Sequence, residues 1–408
     1  MAPDRFLACT CFSALALLAA CTPEPVTNVE VEPYAGDPYP DQVADIAYPV
    51  GPFALVTDSY SDTVSVVDLV AGTRVDARPV GRNPVDLDGP HHLALDAVRG
   101  FAYVALSYPK IGGTGPHASH GASQIYGYVQ KLALADLSVL GQVRVDLNPG
   151  DIAISEDGAR VVTSHFDLQR AIENADDYEK AKATIAVIDP SGLELEGSPP
   201  ATLITVCVAP HGMQLTKPSA STIYLACYGE DRIAIVDADK PATPPELIDV
   251  GAGVSGFGSP VYGPYALRLN ADESRLVVSN TASKDVRFFD TATKTFDSAA
   301  TIITLGAPYF VDYSADESKL YIPTQQPDAL LVVDLTGAEE TVTRTFSDEE
   351  CKLPHAVEEL DGNLFIVCEG DHEAPGNVLA LDAELEVLSN TPVGVYPDSL
   401  TVVAEAQR

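Results

Sequence analysis

One unit recurs seven times along this chain and leaves little choice of architecture. Each copy opens on a proline followed by an apolar alternation: "GPHHLALD", "NPGDIAIS", "APHGMQLT", "GPYALRLN", "APYFVDYS", "LPHAVEEL" and "YPDSLTVV". The opening prolines Pro90, Pro149, Pro210, Pro264, Pro308, Pro354 and Pro397 lie 59, 61, 54, 44, 46 and 43 residues apart, the period of propeller blades plus insertions. A third run in the unit ends in Asp: "VSVVD", "IAVID", "IAIVD", "VRFFD", "LLVVD" and "VLALD". Short β-branched alternations between turn signals such as "ADES" and "EDG" read as antiparallel strands. The first copy, beginning at "FALVTD", lacks its opening strand, and the last copy has only that strand. Joined, they complete one blade and leave no open sheet edge. The expectation is an all-β protein over 51–408: a seven-bladed β-propeller of four-stranded antiparallel blades, closed by a composite blade from both termini.

Segments such as "GPYALRLNADESRLVVSNTASKDVRFFDTATKTF" resemble the YVTN-type propeller repeat of bacterial surface and periplasmic lipoproteins, over roughly residues 50 to 405. That resemblance implies the fold and leaves the function open, because the scaffold carries many functions.

The start of the chain supplies an address. "FLACTCFSALALLAAC" is an apolar run too short and too early for a spanning helix. It ends in Leu18-Ala19-Ala20-Cys21, which resembles the bacterial lipoprotein processing box. That resemblance implies a signal peptide over 1–20, acylation of Cys21 and anchoring outside the cytoplasm, with Thr22 pointing to the outer membrane. The alternative is an ordinary secretory signal with an incidental cysteine. Residues 21–50 are rich in Pro and acids and read as an extended tether. With 24 Lys+Arg against 59 Asp+Glu, the formal charge of -35 repels nucleic acid and anionic lipid. The membrane is therefore expected to be met through the lipid alone, and a monomer is expected.

Two stretches share a frame. "CVAPHGMQLTKPSASTIYLACYGED" and "CKLPHAVEELDGNLFIVCEGDH" each place a Cys before Pro-His and a second Cys at the end of the next strand. Folding at the turns near Lys217 and at Asp361-Gly362 sets each pair side by side, which predicts disulfides Cys207–Cys227 and Cys351–Cys368 in an oxidising compartment. The competing reading is a thiolate metal site, since Cys and His recur together.

All eight histidines map to one face of the ring. His91, His92, His211 and His355 follow opening prolines, His117 and His120 lie in "GGTGPHASHGAS", His165 closes a second strand, and His372 lies in "GDHEAPG". The residues just after the prolines form a ring at the channel mouth: His91, Gly150, His211, Tyr265, Tyr309, His355 and Asp398. Four residues past each proline a second ring carries Gln214, Arg268, Asp312 and Glu358, with Arg268 expected to pair with an acid. The same face bears "FDLQRAIENADDYEKAKA", which reads as a helix with Leu168, Ile172 and Ala175 on one side. Insertions gathered on one face of a rigid scaffold usually carry binding.

No haem-attachment motif, nucleophile elbow, phosphate loop or dinucleotide fingerprint is present. The sequence therefore leans to a non-catalytic scaffold that binds a protein or small molecule through His91, His92, Tyr265, Tyr309, Asp398 and Arg268. The alternative is a transition-metal site, copper or zinc, built from His91, His92, His117, His120, His165, His211 and His355. Such a site would serve storage, delivery, or redox or hydrolytic chemistry. "GPHHLALD" and "APHGMQLT" also look somewhat like the openings of propeller lactonases, so lactonase- or lyase-like activity belongs to that alternative. A third reading leaves the histidines as scattered loop caps.

Overall fold

Six of the seven opening prolines begin the innermost strand of a blade, and Pro308 follows Ala307 into its own, in the computed structural model, which describes residues 44–110, 120–253, 256–337 and 340–404. Seven sheets surround the axis. Blades one to four start at Pro90–Asp96, Pro149–Ile154, Pro210–Leu215 and Pro264–Leu269, and each adds three antiparallel strands outward in chain order. Blade six starts at Pro354–Leu360. Blade seven is the composite one: Pro397–Val403 pairs antiparallel with Phe53–Asp58, in the register Ala54↔Val402 and Val56↔Leu400. The closure is also fastened by polar contacts, with Thr57 Oγ1 2.9 Å from Ser399 Oγ and Asp58 accepting from Gly394 N at 2.7 Å.

The core lies between blades rather than on the axis. Tyr103, Ala105 and Val129 of blade one, for example, pack on Ile152, Val161 and Ala186 of blade two. Each fully buried Val, Leu or Ile contributes about 1.5–3 kcal/mol, so the ring of interfaces carries the stability.

A repeated corner aims the next residue at the axis. The residue before the proline is left-handed in six blades: Gly89 (φ 62), Asn148 (φ 54), Ala209 (φ 49), Gly263 (φ 62), Leu353 (φ 53) and Tyr396 (φ 54). For Ala209, Leu353 and Tyr396 that conformation costs about 1 kcal/mol each, because Cβ crowds the backbone. A hydroxyl of the preceding blade then holds the following carbonyl, as Thr57 Oγ1 does for His91 O at 2.6 Å and Ser164 Oγ for His211 O at 2.6 Å.

Both expected disulfides are formed, with Cα–Cα separations of 5.8 Å for Cys207–Cys227 and 5.1 Å for Cys351–Cys368. Register explains them: Pro210 pairs with Cys227 and Pro354 with Cys368, so each bond staples the start of the first strand to the end of the second. With the sulfurs joined, the thiolate metal site is ruled out.

Three details differ from the sequence reading. The expected helix is two short turns, Leu168–Glu173 and Tyr178–Ala181, capped by Asp167 and Asp177. Ala171 is the buried residue of the first turn and Ile172 is 70% exposed, because the break at Asn174 ends the helical periodicity. Blade five splits its opening strand into Ala307–Pro308 and Asp312–Tyr313, and Phe310 bridges to Ala356 of blade six. Finally, packing begins before residue 51: Ile46 is buried and Tyr48 donates to Leu134 O. Cys21, most of the tether and His117 lie outside the described residues.

Candidate metal centre at the mouth of the channel

The corners deliver what their sequence promises. His91, Gly150, His211, Tyr265, Tyr309, His355 and Asp398 form a ring, and every one of them is buried. His92, one residue further in, and His120, from the loop of blade one, are buried with them. Gly150 keeps the ring tight, since a Cβ there would sit 3.4 Å from His211 Cδ2 and 3.0 Å from Ser164 Oγ.

Hydrogen bonds fix the tautomers of four imidazoles. His91 Nδ1 lies 2.9 Å from Pro149 O and His355 Nδ1 lies 2.6 Å from Asp398 O. A carbonyl only accepts, so both Nδ1 atoms carry a proton. His92 Nδ1 is 3.0 Å from Asp151 Oδ1, with the same consequence. His120 Nδ1 is 2.7 Å from Ser107 Oγ, whose own proton goes to Gly89 O at 3.1 Å, so His120 is again the donor. Imidazoles oriented this way, Nδ1–H on a carbonyl or carboxylate and Nε2 turned inward, are the ordinary preparation of histidine for metal.

The inward atoms converge on Asp398. His91 Nε2 is 2.8 Å and His120 Nε2 is 3.8 Å from Asp398 Oδ2. A lone pair facing a carboxylate oxygen at that distance repels it unless a proton or a cation lies between them. Donor atoms of His91, His92 and His211, of His91, His120 and Asp398, and of His92, His355 and Asp398 each fall within 4.8 Å of one another. Each pair of sets shares one residue, His91, His92 or Asp398. Among the described residues, His92 Nε2 is buried without a hydrogen-bond partner.

An aromatic wall surrounds the donors. His211 stacks on Tyr265 with centroids 4.0 Å apart, Phe166 meets it edge-on at 4.7 Å, and Phe310 lies 4.9 Å from His92. Burial pushes the hydroxyls of Tyr265 and Tyr309 well above their usual range, so both stay protonated. His91 and His120 stack on each other at 4.0 Å.

Not every histidine joins. His165 Nδ1 bonds Thr184 O at 2.7 Å while its Nε2 accepts from Asp146 N at 3.1 Å. Both nitrogens serve the backbone in one neutral tautomer, and burial pulls the imidazole down to about 4. His165 is therefore a structural histidine and leaves the candidate ligand set. Arg268 is separate as well: it pairs with Asp312 at 2.6 Å, three residues along the strands from the ring. Cys207, Cys227 and Glu230 also lie together, but the disulfide removes the thiolates. Asp151 and Glu369 were not singled out from the sequence. Asp151 occupies the position that His92 holds in blade one, the second after the proline, and that correspondence was the available signal.

No protein-family model matches this chain, and no curated protein matches it. Solved structures do. The periplasmic gluconolactonase PpgL of Pseudomonas aeruginosa is 16% identical, with a TM-score of 0.63 over 86% of this chain and 99% of its own. A functionally unknown protein from Desulfotomaculum acetoxidans gives a TM-score of 0.60 at 12% identity, covering 86% of this chain and 99% of its own. Kuenenia stuttgartiensis hydrazine synthase gives 0.56 at 16% identity, covering 80% of this chain and 99% of its own. Proteins named for such different chemistries share the scaffold, so the likeness carries the fold alone.

Proposed function

We propose that this chain is a lipid-anchored, extracytoplasmic propeller that holds a divalent transition-metal ion, of the zinc and copper class, at its channel mouth. One observation carries the reading: the imidazoles of His91, His92, His120 and His355, each with an engaged Nδ1–H, gather around one buried carboxylate, Asp398. Imidazole with a single carboxylate suits Zn, Cu, Ni, Co or Fe, whereas Mg and Ca prefer all-oxygen shells. His91, His92, His120, His355 and Asp398 would supply the donors, with His211 closing one side.

Burial argues for holding an ion over recognising a macromolecule. A partner protein cannot touch side chains that are all buried, so the ring residues do not form a docking surface as they stand. A substrate meets the same barrier, which supports binding over turnover. The outer-membrane anchor rests on Leu18–Cys21, and two disulfides agree with an oxidising compartment.

The test is thermal melting of the untagged full chain after chelator treatment, with and without added Zn2+ or Cu2+. An ion that binds only the folded state raises stability by RT ln(1 + [L]/Kd), about 4 kcal/mol at a thousandfold excess over Kd. An unchanged melt with both ions contradicts the proposal.

A further inference from the structure

A sealed centre needs a way in. Measured outward from Asp398, polar side-chain atoms continue to the surface in short steps. Asp398 Oδ1 lies 3.3 Å from His355 Nδ1, which lies 4.0 Å from Glu369 Oε1. The other oxygen of that carboxylate, Oε2, lies 2.8 Å from His372 Nε2. Exposure rises along the same line: the side chains of His355 and Asp398 are 0% exposed, Glu369 3% and His372 31%.

The outer pair is held, not merely present. Gln325 Nε2 donates to Glu369 Oε1 at 2.9 Å, which fixes the carboxylate with one oxygen towards each histidine. His372 is a non-glycine residue in the left-handed region (φ 63), and its ring stacks on Tyr396 at 3.7 Å and 15°. Tyr396 is itself the corner residue that aims Asp398 at the axis. The rings of Phe166, Tyr265, Tyr309 and Phe310 pack together beside the cluster.

We infer that His372 and Glu369 form an outer exchange site through which the metal enters and leaves the centre. This rests on the metal-binding reading above. A divalent ion arriving from solvent takes the place of the proton between His372 Nε2 and Glu369 Oε2, and that proton is released to water. Rotation of the Glu369 carboxylate then offers the ion to Asp398, past His355, whose Nδ1 keeps its proton on Asp398 O. One donor replaces another at each step, so the ion is never stripped of all its ligands, which would be far more costly. The site is a transit station: two donors suffice to catch an ion and too few hold it against the inner set.

The experiment compares wild type, His372→Ala and Glu369→Gln as untagged full chains. Stopped-flow measures Co2+ loading by absorbance and Zn2+ release to excess chelator, and competition titration measures Kd. The expected result is loading and release both slowed at least about tenfold, the scale of outer-sphere changes at metal sites, with Kd unchanged. Rates indifferent to His372→Ala, in a wild type that loads stoichiometrically, overturn the exchange site alone. A weakened Kd with unchanged loading rate also overturns it, making His372 a ligand rather than a station. A wild type that takes up neither ion overturns the metal centre itself.

Discussion

The two rings of the channel are built from the same seven strands, yet they treat charge in opposite ways. In the inner-facing ring beyond the strand centres, Arg268 neutralises Asp312 at 2.6 Å, and Glu358 accepts from Val402 N at 2.8 Å. That layer brings its own cation. At the mouth, the buried Asp398 carboxylate is met by the imidazoles of His91, His120 and His355. The first arrangement pairs its acid with a cation of the chain; for the second we propose a bound metal ion. Histidines divide in the same way. His165 uses both nitrogens on backbone groups, whereas His91 and His120 each set Nδ1 on a positioning partner and face the Asp398 carboxylate with Nε2.

The contrast breaks if the two rings respond alike to mutation. The largest effect is expected from Asp398→Asn combined with His92→Ala. Metal affinity should fall by more than about a hundredfold, beyond the range of outer-sphere changes. Arg268→Gln should leave affinity unchanged in the same titration, and equal losses from both would dissolve the distinction between the rings.

The paired cysteine frames sharpen the comparison next. Each staples a strand that begins with a ring histidine, His211 or His355. Replacing Cys351 and Cys368 by serine opens a cross-link of sequence separation 17 and should lower stability by about 2–4 kcal/mol in urea unfolding. Loosening His355 should weaken metal binding as well, an effect the reduced apo protein alone does not reveal.

A smaller loss is expected from Asp151→Asn. Asp151 Oδ1 holds His92 Nδ1–H while Oδ2 accepts from Met213 N at 2.9 Å, and an amide cannot accept at both ends. Affinity should fall about tenfold to a hundredfold while the melt of the apo protein moves little.

The smallest effect concerns the deeper ring and pH. Burial, with Asp312 beside it, raises Glu358 to about 8. The folded chain therefore binds this proton more tightly than the unfolded chain does. Its contribution declines as pH rises from the ordinary glutamate range, about 4.3, towards about 8. Glu358→Gln should gain on wild type in melting temperature across that window. Parallel curves would remove Glu358 as the cause.

Much of this was readable beforehand because the repeat is short and its punctuation strict. The prolines located the innermost strands, and the truncated first copy foretold the pairing of Phe53–Asp58 with Pro397–Val403. The alternation of strands made the disulfides a matter of register. What escaped depended on contacts that no spacing encodes. Two of the four partners that set the tautomers are backbone carbonyls, Pro149 O and Asp398 O, supplied whatever the side chain. His165 looked like a sixth or seventh ligand because position on a face does not reveal which nitrogen is engaged. Phe310 enters the channel through a break in the blade-five strand that its sequence, "APYFVDYS", does not announce. Burial of the whole ring was likewise invisible, and it shifts the balance from a docking surface to an enclosed ion.

The most direct test is stoichiometry. The untagged full chain should be loaded with Zn2+, passed through a desalting column in the presence of a weak chelator, and analysed for metal beside the Asp398→Asn/His92→Ala variant. The centre described here predicts about one ion retained per wild-type chain and almost none in the variant. Equal metal in both, or only traces in the wild type, would contradict it.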